Sequence, residues 1–466
     1  MKTPRRIILS SLSILSITLG MPIWSAEVDL DQLGQEGVDR LQQYLRVDTI
    51  NPPGNESRAV EFFARIFEAE GIAYETAESA PGRGNIWARL EGGSEPALVL
   101  LNHTDVVPAD AEFWDTDPLS GEIKDGHIHG RGALDMKGTA IAQLQAFLAL
   151  HRSGKPLNRD VIWMGTADEE AGGFFGAGWL VKNRAEIFED VGLLLNEGGG
   201  GLLQDGNALF GIEVTQKVPF WIRVKATGKS GHGSVPHAES AVTRLIEALH
   251  RVYANPFPPR ITEPVDTYFK ALAPHVDEEW QEAFRDMATA VKDPAFVHKL
   301  QDWNNGYHAL TRNTISITML EGSSKINVVP PDAFGELDCR ILPDQDPEEF
   351  LNELRFIIDD PNVTLETIMV FTPAVSSTDT PLYRAIENVV RKHFPGAPIV
   401  PNVGRGFTDS HFFRDLGISC YGFSPTLIPA SDRGGVHGNN ERISIENVHR
   451  GVRLTLEILE EVVYQK

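Results

Sequence analysis

In the first half of the chain, short apolar runs are separated by longer stretches of helical period. Leu98–Leu101 is one such run, ending at Asn102-His103, and Val161–Ala167 and Val191–Leu195 are two more. Between the first two, Thr139–Leu150 repeats its apolar residues with helical spacing and carries little glycine or proline. Unbroken apolar runs flanked by helical segments predict strands buried on both faces. The expected fold is therefore α/β, with a mostly parallel sheet and helices on either side.

The pattern changes after about Ile212. Phe220–Ala226 alternates like a half-exposed strand, Glu239–Tyr253 has the period of a helix, and Thr314–Leu320 and Ala333–Ile341 read as strands. Glu348–Ile358 then reads as a helix and Val363–Val370 as a strand. The order β-α-β-β-α-β is a ferredoxin-like α+β unit, inserted where the α/β pattern stops; that pattern resumes from about Ser376. The predicted division is 27–214 and 373–466 for the larger domain and 215–372 for the insertion. Within the insertion, residues 255–309 fit neither scheme. They are helical and aromatic, and Trp280, Phe284, Met287 and Val291 fall on one helical face. Such a stripe is either core and interface or one wall of an apolar substrate groove.

A chain of 466 residues exceeds one ordinary core, which agrees with two domains. With 42% hydrophobic and 23% charged residues it has the composition of a soluble globular protein. A net charge of −23 argues against nucleic acid and anionic membrane surfaces as partners. Lys2, Arg5 and Arg6, the apolar stretch Ile7–Leu19 and the small residues Ser25-Ala26 have the layout of a signal peptide over 1–26. The expectation is export, to a periplasm or the exterior, with no stable membrane span after cleavage. Cys339 and Cys420 lie in apolar runs far apart and read as buried free thiols, so any metal falls to His, Asp and Glu.

Several such residues stand just beyond the apolar runs. His103 follows the first, Glu169 and Glu170 the second, and Glu197 the third. Sites in open parallel sheets form at these carboxyl ends. Asp135 sits in the glycine-rich turn Gly130–Gly138, which leads into a helix, and His437 in the loop Gly434–Gly438. Each alone is a weak signal; together they form a candidate constellation.

The motifs His103-Thr104-Asp105, Gly130–Gly138, Asp168-Glu169-Glu170, Asn196-Glu197-Gly198-Gly199, Gly231-His232-Gly233 and Gly435-Val436-His437 resemble one family in order and spacing. It is the family of dinuclear zinc peptidases that includes carboxypeptidase G, aminoacylase, succinyl-diaminopimelate desuccinylase and acetylornithine deacetylase. The long aromatic insert is similar to its carboxypeptidase S and N-fatty-acyl amino-acid hydrolase branch. The resemblance implies a zinc-binding α/β catalytic domain with an inserted ferredoxin-like lid and dimerisation domain, and two Zn2+ per chain, with Co2+ or Mn2+ as substitutes. Asp135 would bridge the ions, Glu170 and His437 would complete one site, and His103 and Glu197 the other. Glu169 would be the general base toward a water held between the ions. Asp105 would accept the second ring N–H of His103.

The same resemblance implies that His232 reaches a partner subunit's site in a homodimer and stabilises the oxyanion, and that the Asp135–Met136 peptide bond is cis. Asn327 and Arg340 match positions that hold a substrate's free carboxylate, for which a guanidinium is suited. Gly406 lies in a substrate-side loop, Gly406-Phe407-Thr408-Asp409, where Phe407 replaces a usual second glycine. Asn196 stands where some relatives carry an acid, which leaves Glu197 as the carboxylate available. His129 is read as packing, and His127 and His237 as local or surface groups. The implied activity is hydrolysis of an amide in a small peptide or an N-acyl amino acid with a free carboxylate. The choice between carboxypeptidase, dipeptidase and acylase stays open. The alternative is a catalytically silent binding or scaffold protein of the same fold.

Overall fold

The computed structural model describes residues 28–204 and 206–464. The expected signal peptide, 1–26, lies outside the described residues. Among those described, no helix is long and apolar enough to cross a membrane.

An eight-stranded sheet organises the larger domain. Its order is Tyr74–Glu78, Gly84–Leu90, Arg159–Thr166, Glu95–His103, Val191–Gln204, Ser419–Pro429, Asn207–Gln216 and Ile399–Gly404. The four strands from Arg159–Thr166 to Ser419–Pro429 run parallel to one another. The period of two along each strand sends alternate residues to opposite faces. Leu98, Leu100, Val161, Trp163, Leu193 and Leu195 join one buried cluster, built with the helices Lys137–Ser153 and Ile445–Val463 among others. Val99, Leu101, Ile162, Met164 and Leu194 join another on the far face, with Phe413 and Cys420. Burial on both faces is why these strands read as unbroken apolar runs. Cys339 and Cys420 are both buried and free.

The smaller domain is a four-stranded antiparallel sheet in the order Thr314–Glu321, Asp332–Ile341, Val218–Thr227, Val363–Val370. Helices Ala241–Ala254 and Pro347–Ile358 cover one face, where Leu245, Leu249, Phe350 and Leu354 pack on Phe220, Ile222 and Leu337. This is the expected ferredoxin-like arrangement, and alternate residues of Asp332–Ile341 are buried accordingly.

Residues 255–309 do not form one long helix. They make five short ones, Glu263–Leu272, Glu278–Arg285, Met287–Ala290, Pro294–Trp303 and Asn305–Leu310. The predicted stripe is interrupted at Asp286, whose backbone leaves helical geometry at φ −145° while its carboxylate caps the next turn by accepting from Thr289 N–H. Trp280, Phe284, Met287 and Val291 are nevertheless buried together, because the break folds the second piece back onto the same core. That core includes Val403 of the larger domain's edge strand, so the insert is packed against the catalytic sheet. Its far end is tied at the domain junction by buried Lys217, whose ammonium donates to the carbonyls of Ala309 (2.9 Å) and Arg312 (2.7 Å).

Because this aromatic cluster is separate from the two sheet cores, it is expected to open by itself. Phe284→Ala removes a fully buried ring, a change that costs about 3–5 kcal/mol in a packed core. Hydrogen exchange should accelerate across 263–310 and stay slow in Leu98–Leu101; uniform acceleration would show that the insert is not an independent unit.

Candidate metal centre

Every candidate ligand lies at the carboxyl end of the sheet or in a loop bordering it. His103 is the last residue of Glu95–His103, and Glu169 and Glu170 open the turn after Arg159–Thr166. Asp168 takes φ 72° there, a left-handed conformation uncommon for a residue with a side chain, and redirects the chain at the strand end. Glu197 lies within Val191–Gln204, next to Gly198 at φ 125°. A side chain at Gly198 would collide with the Glu213 carboxylate. Asp135 sits in a turn where Gly132 takes φ 91°, and its peptide bond to Met136 is cis.

The side chains converge on two clusters that share Asp135. In one, His103 Nε2 is 3.0 Å from Asp135 Oδ1 and 3.5 Å from Glu197 Oε1. In the other, His437 Nε2 is 3.1 Å from Asp135 Oδ2 and 3.0 Å from Glu170 Oε2. Ligand atoms around a tetrahedral ion of zinc's bond length stand about 3.3 Å apart, so both clusters fit a divalent cation. Glu170 Oε1 is buried without a partner, as a further ligand atom would be. The electrostatics agree. Burial drives the carboxyl of Glu169 well above its ordinary range and that of Glu197 to about 8, with like charges nearby adding to both, and burial raises Glu170 too. So many acids in one buried place call for positive charge.

Glu169 belongs to neither cluster and is buried beside them. Asp105 holds the turn that presents it, with Oδ1 accepting from Glu169 N–H (3.1 Å) and Oδ2 from Glu170 N–H (3.2 Å) and Asn51 (2.8 Å). This corrects the expected role of Asp105. His103 Nδ1 bonds the backbone carbonyl of Asp105 at 3.0 Å, whereas the carboxylate oxygen lies 3.6 Å away. The carbonyl fixes the ring tautomer and leaves the carboxylate free to clamp two backbone amides.

The profile of peptidase family M20/M25/M40 matches residues 99–461, a span that contains both clusters. The chain belongs to this family. Among its relatives, an N-fatty-acyl-amino acid synthase/hydrolase PM20D1 of Xenopus tropicalis is 29% identical over 91% of this chain and 85% of its own length. The mouse protein of the same name is 31% identical over 79% of this chain and 75% of its own. Aminoacylase-1B of Rattus norvegicus is 29% identical, covering 89% and 92%. Of solved structures, the M20 metallo-carboxypeptidase Sso-CP2 from Sulfolobus solfataricus superposes with a TM-score of 0.67 at 21% identity, over 92% of this chain and 99% of that one. The M20 family is one of metal-dependent amide hydrolases, and the two clusters occupy the end of the sheet where such chemistry is expected.

The remaining predicted residues of this M20 chain belong to neither cluster, although Gly406 lines the same cavity as Asp135 and Glu197. His232 is exposed on a short ribbon, where Gly231-His232 pairs with Val328-Val329, and its Nδ1 accepts from Ser234. Asn327 is on the same ribbon, its carbonyl accepting from Gly233 N–H. Arg340 lies on the lid strand with Nε and Nη2 engaged by Asp338 at 2.7 and 3.1 Å, and with Nη1 buried and unpaired. Gly406 is exposed beside Phe407, over whose ring the Arg340 guanidinium lies at 5.7 Å. Asn196 donates to the Ser410 hydroxyl and belongs to neither cluster. His129 is buried, while His127 bonds the carbonyl of Asp125.

Sequence reasoning missed Glu441. This fully buried carboxylate accepts from the backbone N–H groups of Gly132 (2.9 Å), Leu134 (2.7 Å) and Asp135 (3.1 Å), and from Arg131 (2.6 Å). Arg131 also donates to the carbonyl of Gly438, next to His437. The loops bearing Asp135 and His437 are thus knitted together by one acid. Glu441→Gln keeps the shape but not the charge, and should weaken metal binding about 10–100-fold, measured by competition with a chromogenic chelator. Unchanged affinity would show that the turn holds itself.

Proposed function

We propose that the protein hydrolyses the amide bond of N-acyl amino acids at two zinc ions held by His103, Asp135, Glu197, Glu170 and His437, with Glu169 as general base. The observation that carries this reading is the pair of clusters sharing Asp135, with a buried carboxylate beside them that ligates in neither. Relatives named for N-fatty-acyl-amino acid hydrolysis and as an aminoacylase favour an acylated amino acid over a longer peptide. A silent scaffold would have no need to keep so many acids buried together at a desolvation cost.

Divalent cations in these clusters supply Lewis acidity, polarising the scissile carbonyl and acidifying the attacking water. Glu169 accepts the proton of that water and returns it to the leaving nitrogen. Burial and Glu197 make its carboxyl a stronger base than an ordinary glutamate, as a general base requires. Arg340 has one unpaired Nη1 to offer the substrate's carboxylate, with Asp338 fixing the rest of the guanidinium. His232 is assigned to the neighbouring subunit's site. Its exposed ribbon supports this, and so does the lid's edge strand Thr314–Glu321, which exposes Ile317, Met319 and Leu320 as a surface for a second copy.

Glu169→Ala should lower kcat by at least about 10²–10⁴-fold, the usual worth of proton transfer. Metal analysis should find both ions retained, because the base is not a ligand. Loss of zinc, or a rate near the original, would overturn the division of roles between Glu169 and Glu170. The dimer reading has its own test. Mixing Glu169→Ala with His232→Ala, after mass-tagged chains show subunit exchange, should restore activity, since one composite site in each heterodimer is intact. Exchange without restored activity would confine His232 to its own chain.

A further inference from the structure

The turn that carries Glu169 and Glu170 is held from behind by a part of the chain that contains no candidate ligand. Arg83 immediately precedes the strand Gly84–Leu90, and its half-buried guanidinium reaches two other segments at once. Nη1 donates to Glu56 Oε1 (2.6 Å) and lies 3.3 Å from Asp168 Oδ1, while Nη2 donates to Asn51 Oδ1 (3.0 Å). The same group lies over the Phe175 ring, 5.4 Å from its centroid. Glu56 is fully buried, and its other oxygen has no partner among the described residues. Nor does any other lysine or arginine among them pair with Glu56, Asp105 or Asp168. The backbone makes room for this guanidinium: Gly54 takes φ 74°, and a side chain there would collide with Nη1.

These contacts end on the residue before Glu169. Asp168 takes φ 72°, a conformation that a residue with a side chain keeps only where its surroundings over-determine it. Here they do. Asp168 Oδ1 faces Arg83 and Asn51 Nδ2 (3.4 Å), and Oδ2 accepts from Phe175 N–H (3.1 Å). The loop is also tied to the strand that Arg83 precedes, because Asn85 accepts from Ala167 N–H (3.0 Å) and donates to the Phe175 carbonyl (3.1 Å). Asn51, held by Arg83 at its carbonyl, donates from its amide to Asp105 Oδ2, the oxygen that accepts from Glu170 N–H. Arg83 thus bears on both carboxylates that shape the turn, directly on Asp168 and through Asn51 on Asp105.

We infer that Arg83 is the positioning residue of the general base. It sets the path of residues 168–175 so that Glu170 enters a cluster while Glu169 stays beside both, and it does so through Asp168 and Asp105. The inference rests on the reading of Glu169 as the base. It also gives a reason for arginine at this place: a planar fork addresses several acceptors at fixed angles, whereas a lysine ammonium is a single point of charge.

The test uses the zinc-loaded full chain. Arg83→Met alone strands the buried Glu56 carboxylate without its partner, a change that destabilises strongly, so the working variant combines Arg83→Met with Glu56→Gln. Its kcat should fall about 10–100-fold, the cost of a small misplacement of a catalytic group, while KM moves less than about threefold and metal content stays that of the parent. Arg83→Lys should lose part of kcat, and it serves in place of the pair if the pair does not fold. In a Glu169→Ala background the same substitutions should change the residual rate less than about twofold, because nothing is left to position. Hydrogen exchange gives a readout without turnover: the amides of Glu169 and Glu170 should exchange faster in the variant, with 161–165 unchanged. An unchanged kcat, loss of zinc, an equal penalty with and without Glu169, or unchanged exchange at 169–170 each overturns the proposal. If exchange accelerates there but the parent protein cleaves no N-acyl amino acid, the hydrolase reading falls while Arg83 keeps its place as the brace of the turn.

Discussion

The architecture turns on the cost of gathering Asp135, Glu169, Glu170 and Glu197 in one buried place. Mutual repulsion and desolvation both oppose it, and the clusters sharing Asp135 answer with room for cations. The surroundings then serve to hold the acids apart in role. Asp105 clamps the amides of Glu169 and Glu170, so that one acid is presented to a cluster while its neighbour is left uncommitted. Behind that turn Arg83 pairs with Glu56 at 2.6 Å and with Asp168 at 3.3 Å, placing a half-buried positive charge against the acidic side. Glu441 does for the Asp135 turn what Asp105 does for the glutamates: in both cases a carboxylate oxygen is spent on backbone N–H groups. Such bonds fix a loop's path directly, because they hold the peptide units themselves and not the end of a rotatable side chain.

Two attachments adapt this centre, and they are mounted differently. The lid is a separate sheet with its own core, and it carries His232, Asn327 and Arg340. The insert is contiguous with the lid in sequence yet packs against the catalytic edge strand. Lys217 sits where these two loyalties divide, bonding carbonyls at the insert's end and the Thr314 hydroxyl at the start of a lid strand.

How much was legible in the sequence depended on whether the signal was carried by side-chain pattern. Leu98–Leu101 and Val161–Ala167 announced buried strands because both faces of the sheet are covered, and the candidate ligands after them stood out as polar residues at strand ends. The lid's alternation in Ala333–Ile341 was equally plain. What failed did so for identifiable reasons. Asp105 and His103 were paired by proximity, but the imidazole took a backbone carbonyl, which no residue type advertises. Glu441 was invisible because its partners are peptide amides more than 300 positions away. The stripe from Trp280 to Val291 was correctly apolar but read as one helix, although Asp286 in its middle is a capping residue and marked the break.

The chain order of the candidate ligands sets a schedule for the protein's folding. His103, Asp135, Glu170 and Glu197 are all made before the lid and the insert, while His437 and Glu441 come after both. A polypeptide emerging N-terminus first thus holds every side chain of the His103 cluster long before it can complete the other. The central strand Ser419–Pro429, which slots between Val191–Gln204 and Asn207–Gln216, is equally late. Until it arrives the two sides of the sheet are joined only by the hairpin of Val191–Gln204 with Asn207–Gln216, and the Asp135 turn lacks its brace. The His103 cluster can therefore gather from residues made early, whereas the cluster that includes His437 waits for the last part of the chain.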